Sequence, residues 1–165
     1  MMMKKILVLT TSALLLAACS GTKDGVDLYG DANGGWQDNV DITDLTATSL
    51  TKKLHKTGAD VVYFSFNDSG LDSKAKATLR TQAAWLKENP KALIVIEGRC
   101  DERGTREYNL ALGDQRANAA RSYLIAQGIA ANRIRTISYG KDKPVVLGSD
   151  EEAWAKNRNA TTVAY

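Results

Sequence analysis

The sequence predicts a small α/β sandwich, an α+β domain with helices laid over a mixed four-stranded sheet. Three observations predict it. VVYFSF at Val61–Phe66 is rich in β-branched and aromatic residues, and Leu93–Ile96 is a continuous apolar run, so both have strand character. The stretches between such runs carry helical spacing, caps and stop signals. The resulting order over residues 60–165 is β-α-β-α-β-α-β, with no internal repeat, as expected of one domain whose helices cover a sheet.

The chain opens with Lys4 and Lys5, then an apolar run from Ile6 to Ala18 interrupted by Thr10, Thr11 and Ser12. A spanning helix needs roughly 20 apolar residues. A basic start, a short apolar run and small residues before a cut instead describe a secretory signal. Leu16-Ala17-Ala18-Cys19 satisfies the lipobox of a bacterial lipoprotein precursor, which is cut before the cysteine that then carries lipid. Residues 1–18 are therefore expected to be a lipoprotein signal peptide, and Cys19 the lipidation site. One acyl chain binds a membrane marginally, whereas two or more anchor it stably. Ser20, rather than an aspartate, follows Cys19 and favours outer-membrane sorting.

Residues 19–43 are expected to form the lipidated end and a flexible tether, because glycines dominate and few apolar side chains are available to bury. Fully extended, Ser20 to Thr43 would reach roughly 80 Å at ~3.4 Å per residue. The folded domain is expected over 44–165, with its core at 60–165. A short helix is predicted from Asp44 to Lys56, ended by Gly58. Asp72 caps a helix to Glu88, with Leu79, Ala83 and Leu86 on one face and Pro90 as its stop. The run Leu93–Ile96 suits a strand covered on both faces. Thr105 caps a long helix ending near Gln127, with Gly128 just beyond. Its seam of Gly113, Ala117, Ala120 and Leu124 would let it lie close to a sheet. Arg133–Tyr139 reads as the third strand. Ser149 with Glu152 reads as a capping box for a short helix to about Asn157, and Thr161–Tyr165 as the last strand.

The densest polar segment runs from Glu97 to Glu107, between a buried strand and a helix start, where ligand sites are favoured. On the helix that follows, Asn109, Leu112 and Arg116 fall within about 60° of one another. Asp101 on the loop and Arg116 on the helix can meet one zwitterionic ligand, the carboxylate taking an ammonium and the guanidinium forking onto a carboxylate. Spacing alone equally allows a structural ion pair, Asp101 with Arg116 or with Arg103.

The quoted segments resemble the OmpA-like peptidoglycan-binding domain family, and within it the peptidoglycan-associated lipoproteins of the Tol–Pal system. The matching pieces are VYFSF at Val62–Phe66, EGRCDERGTREYNLALG at Glu97–Gly113, RAN at Arg116–Asn118, SYGKDKPVVLGSDEEAW at Ser138–Trp154 and KNR at Lys156–Arg158. They lie in the family's order across essentially all of residues 60–165. The resemblance implies non-covalent binding of the meso-diaminopimelate residue in the peptidoglycan stem peptide. It also implies a tether between outer membrane and wall that supports envelope integrity and cell division. By motif position the binding residues would be Phe66, Asn67, Asp101, Thr105, Asn109, Leu112 and Arg116. Phe66 and Leu112 would line an apolar wall, while Thr105 and Asn109 would add hydrogen bonds. The implied protein partners are TolB, docking on the same face, and TolA.

Four positions depart from that pattern. Asn67 stands where an aspartate is usual and removes a negative charge beside the pocket. Arg99 replaces a common histidine, Gln115 the first of two arginines, and Asn159 another arginine. The alternative reading these changes raise is a lipoprotein that mainly docks TolB, with weak or lost wall binding. Cys100 stands where small residues are usual and is expected to be a partly buried small side chain.

Composition argues against other classes. The chain has 22 basic and 19 acidic residues, and cutting before Cys19 leaves 20 against 19. That near balance gives no support for nucleic-acid binding. One histidine, His55, and one remaining thiol, Cys100, support neither a metal site nor a Cys–His nucleophile, and no cofactor is implied. Glu97, Asp101 and Glu102 sit among Arg99, Arg103 and Arg106, so they read as ion-paired rather than as catalytic carboxylates. No catalytic residues are expected, and the protein is expected not to be an enzyme.

Overall fold

The computed structural model describes residues 49–165. The expected signal peptide, Cys19, the glycine-rich tether and the start of the first predicted helix lie outside the described residues. Those described form α1 (Ser49–His55), β1 (Val61–Tyr63), α2 (Ser73–Glu88), β2 (Ile94–Arg99), α3 (Arg106–Ala126), β3 (Ile134–Gly140), α4 (Glu151–Asn157) and β4 (Asn159–Ala164). The sheet order is β1-β4-β2-β3. β2 and β3 are parallel, while β4 runs antiparallel to both its neighbours, β1 and β2. The sheet is mixed and four-stranded, as the sequence predicts.

Helix boundaries follow local chemistry. The Asp72 carboxylate accepts from Ala75 N at 2.6 Å and starts α2. The Thr105 hydroxyl accepts from Tyr108 N at 3.2 Å and starts α3, so each satisfies one orphan amide of a first turn. Gly128, at φ 91°, takes the left-handed conformation just past α3. At α4 the cap is Asp150 rather than Ser149. Its carboxylate accepts from Ala153 N at 2.8 Å, and the helix begins at Glu151.

One face of the sheet buries Val62, Ile94, Ile96, Ala160 and Ala164 with Leu79, Ala83 and Leu86 of α2 and Ala117, Ala120 and Leu124 of α3. The helical seams read from the sequence are therefore the core faces. β2 is buried on both faces, as its apolar run suggested. On the opposite face Val95 is buried by its strand neighbour Val163, with Ile137 and Tyr165 packed against them.

β1 ends at Tyr63, three residues before the predicted end. Phe64 N still donates to Arg158 O at 2.9 Å, but the next carbonyls leave the sheet. Ser65 O and Asp68 O turn instead to the Arg116 guanidinium. Asn67 completes the turn at φ 53°, a region asparagine tolerates better than most residues.

Two glycines set how closely α3 approaches β2. A side chain added at Gly98 would collide with the Gly113 carbonyl, and one added at Gly113 with the Ser138 hydroxyl. Directly after Gly98 the pairing of β2 with β3 slips, so that Arg99 faces Gly140. The irregularity turns the chain off the sheet and into the loop before α3. Gly98→Ala should force α3 away from the sheet and destabilise the domain by ~1–3 kcal/mol, read as a lower urea midpoint.

Candidate functional site

The loop after β2, the first turns of α3 and the 64–68 turn enclose a cavity of about 100 Å³. Its walls include Phe66, Asn67, Asp101, Asn109, Leu112 and Arg116, six of the seven residues carried over by motif. Thr105 is not part of the wall; it caps α3 and so fixes the helix that supplies Asn109, Leu112 and Arg116. The structure adds Cys100, Arg103, Gly104 and Tyr108 to the lining.

Arg116 is completely buried. Its Nε donates to Asp68 O at 2.8 Å, Nη1 to Arg99 O at 2.8 Å and Nη2 to Ser65 O at 3.1 Å. A guanidinium carries five N–H donors, so these bonds do not exhaust it, although the Cys100 thiol also lies within its hydrogen-bonding reach. Its cation also lies 5.2 Å from the centre of the Phe64 ring. Among the described residues no carboxylate lies within ion-pair distance of it. Burial lowers its pKa, yet the group still carries its charge at neutral pH. The cavity wall thus holds a buried cation bonded to carbonyl oxygens, with no carboxylate in direct ion-pair contact among the described residues.

Asp101 is 4% exposed and is paired, but not with Arg116. Arg103 folds back on it, with Nε 3.1 Å from Oδ1 and Nη2 2.7 Å from Oδ2, and its backbone N donates to Oδ1 at 3.2 Å. Arg158 Nη1 reaches Oδ2 at 3.4 Å, while its Nη2 holds Glu151 Oε1 at 2.7 Å. Burial would raise the Asp101 pKa. The hydrogen bonds and charge of Arg103, with help from Arg158, outweigh burial and hold the carboxyl below its ordinary value.

The other lining groups are also fixed. Asn109 is buried, and its Nδ2 donates to Arg103 O at 2.8 Å and Thr105 O at 3.0 Å, bracing the loop. Tyr108 OH donates to Asn67 Oδ1 across the rim. Phe66 is 60% exposed and Leu112 is buried, so the apolar wall runs from the mouth inward. The Cys100 Sγ donates to Asn109 O at 3.4 Å, and burial pushes its thiol pKa up, so the group is a protonated wall element. His55 lies on α1, where its Nδ1 meets Asp60 Oδ2 at 2.6 Å.

Arg158 and Glu151 join this network without any local signal, because they lie more than forty residues beyond Asp101 and only the fold brings them together. The available signals are the matches at Ser138–Trp154, which contains Glu151, and at Lys156–Arg158, neither of which carries a role for these residues.

With this geometry in place, the comparisons define the class. Residues 63–158 match the OmpA family. This chain belongs to the OmpA family. It is similar to the "Peptidoglycan-associated lipoprotein" of Rhizobium meliloti, at 52% identity over 63% of this chain and 59% of that protein. It thus spans about three fifths of that relative's length. The protein of the same name from Pasteurella multocida is 39% identical over 98% of this chain and 97% of its own. The crystal structure of the peptidoglycan-associated lipoprotein from Burkholderia pseudomallei superposes with a TM-score of 0.62 at 44% identity, covering 64% of this chain and 90% of that one. These relatives are named as lipoproteins rather than enzymes, in line with the expectation of a non-catalytic protein.

The Asp101 pairs make stability acid-sensitive. A depressed native pKa gives a contribution that is complete above the ordinary carboxylate value of roughly 3.9 and is lost as pH falls through the native value. Asp101→Asn should cost roughly 2–4 kcal/mol at pH 7, with the gap from the unsubstituted protein closing below about pH 4. Urea unfolding from pH 7 to 2 reads that convergence.

Proposed function

We propose that this chain is an outer-membrane lipoprotein whose folded domain holds the cell wall non-covalently, through the diaminopimelate residue of the peptidoglycan stem peptide. The observation that carries this reading is the buried Arg116 guanidinium in the cavity wall, without an ion-pair partner among the described residues. A buried cation without a direct ion-pair partner favours an anionic ligand group, since the low local dielectric strengthens the attraction. The free end of meso-diaminopimelate bears a carboxylate and an amine on one carbon. Its carboxylate would meet the Arg116 guanidinium and its ammonium would approach Asp101. The methylene chain would lie along Phe66 and Leu112. The names of the relatives, each a peptidoglycan-associated lipoprotein, support peptidoglycan as the target.

Lipid on Cys19 would hold the membrane end, and residues 19–43 would span the gap. Membership of a Tol–Pal system, with TolB docking at the cavity mouth, TolA as a further partner and a part in cell division, is the wider setting of this proposal. Exposed Phe66 and Tyr108 at the rim offer an apolar surface to such a partner. Asn67, which removes a rim charge, favours a second reading in which protein docking dominates and wall binding is weak.

Detergent-solubilised full chain should sediment with purified sacculi, and a soluble diaminopimelate-containing stem peptide should release it. Sedimentation without release by that peptide would refute the assigned ligand. No sedimentation together with capture by purified TolB would favour the docking reading. In cells, Cys19→Ser should move the protein from the outer-membrane fraction to the soluble periplasm. Retention in the membrane fraction would refute the anchor.

A further inference from the structure

Asp101 has no acceptor site left for a ligand. A carboxylate offers about four lone-pair positions. Here Oδ1 takes the backbone N and Nε of Arg103, and Oδ2 takes Nη2 of Arg103 and Nη1 of Arg158. A ligand ammonium can therefore bond to Asp101 only when one of these donors leaves.

The two arginines are not equally able to leave. The Arg158 side chain is 8% exposed and also donates to Phe64 O at 3.1 Å and to Glu151 Oε1. The Arg103 side chain is 32% exposed and lines the cavity. Its guanidinium carbon lies 4.0 Å from the centre of the Phe66 ring and 4.1 Å from that of Trp154, so the cation rests between two aromatic faces. Its Nη2 is 4.0 Å from Glu151 Oε2, an exposed carboxylate that can receive it. A short swing would thus exchange Asp101 for Glu151 without taking Arg103 off its aromatic neighbours.

We infer that Arg103 occupies the ammonium seat on Asp101 in the empty pocket, and that an amine-bearing ligand binds by cation exchange, its ammonium replacing the Arg103 guanidinium as that side chain moves to Glu151. This inference rests on the proposed diaminopimelate reading and gives Arg103 the part of a specificity-determining residue. A ligand end with an amine must evict Arg103. A ligand end without one leaves Arg103 in place and gains nothing from Asp101. Arg103 therefore compresses the preference for the amine-bearing end, and Glu151 sets how readily it yields.

The test uses the detergent-solubilised full chain and calorimetric titration with two stem peptides. One contains diaminopimelate and the other 2-aminopimelate, which lacks the distal amine. Arg103→Gln should bind the diaminopimelate peptide about fivefold more tightly, with affinity for the 2-aminopimelate peptide unchanged. Weaker binding of the diaminopimelate peptide would overturn the inference, because Arg103 would then hold the ligand directly. Equal tightening of both peptides would also overturn it. Glu151→Gln supplies a second test that leaves Arg103 in place. It should weaken diaminopimelate binding about threefold when Arg103 is present and have no effect in Arg103→Gln. An equal loss in both backgrounds would overturn the exchange. Wild-type protein and Arg103→Gln both failing to bind either peptide would sink the diaminopimelate reading itself, and the exchange with it. Binding by the wild type without the predicted tightening would sink the exchange alone.

Discussion

Arg116 draws three carbonyls, from Ser65, Asp68 and Arg99, onto one buried guanidinium. Those carbonyls belong to the 64–68 turn and to the end of β2, far apart in sequence, and the side chain that joins them rises from the middle of α3. The guanidinium finds its buried acceptors in these carbonyls, and through them it ties the turn to the end of β2. The same contact ends β1 early and fixes the path of the 64–68 turn, which places Phe66 and Asn67 at the cavity mouth. A lysine has three donors on a single atom and cannot span the same three directions.

Around that fixed point the charges divide into two groups. Asp101, Glu151, Arg103 and Arg158 form a closed set of two acids and two bases. Arg116 stands outside it as the surplus positive charge. The pocket can therefore favour an anionic group without being unstable when empty, since carbonyl dipoles hold Arg116 and neighbouring arginines hold Asp101. The arrangement suits a ligand with both signs of charge close together better than a simple anion.

Much of the fold was legible because its signals are local. Asp72 and Thr105 lie at helix starts, Pro90 and Gly128 lie just past helix ends, and the small residues of α3 mark the face that meets the sheet. The errors fell where distant partners decide. The strand from Val61 was read too long because nothing near Ser65 in the sequence announces Arg116. At α4 two adjacent residues could both cap, and the carboxylate of Asp150 took the position from Ser149. In the site, helical spacing brought Asn109, Leu112 and Arg116 together correctly. The direct Asp101–Arg116 pairing that spacing allowed did not form. Asp101 found Arg103, two residues away, and Arg158 from the far end of the domain.

The position of β4 has a consequence for how the domain is made. It lies between β1 and β2, yet it comes after every other described strand in the chain. Val61 must wait for Thr161 to find its partner. Until then β1 has no neighbour in the sheet, and β2 has only β3. A growing or threading chain therefore cannot close its core piecemeal from the front, because the strand that joins the two halves arrives last. The sheet is therefore completed only when the C-terminal strand has joined β1 to β2.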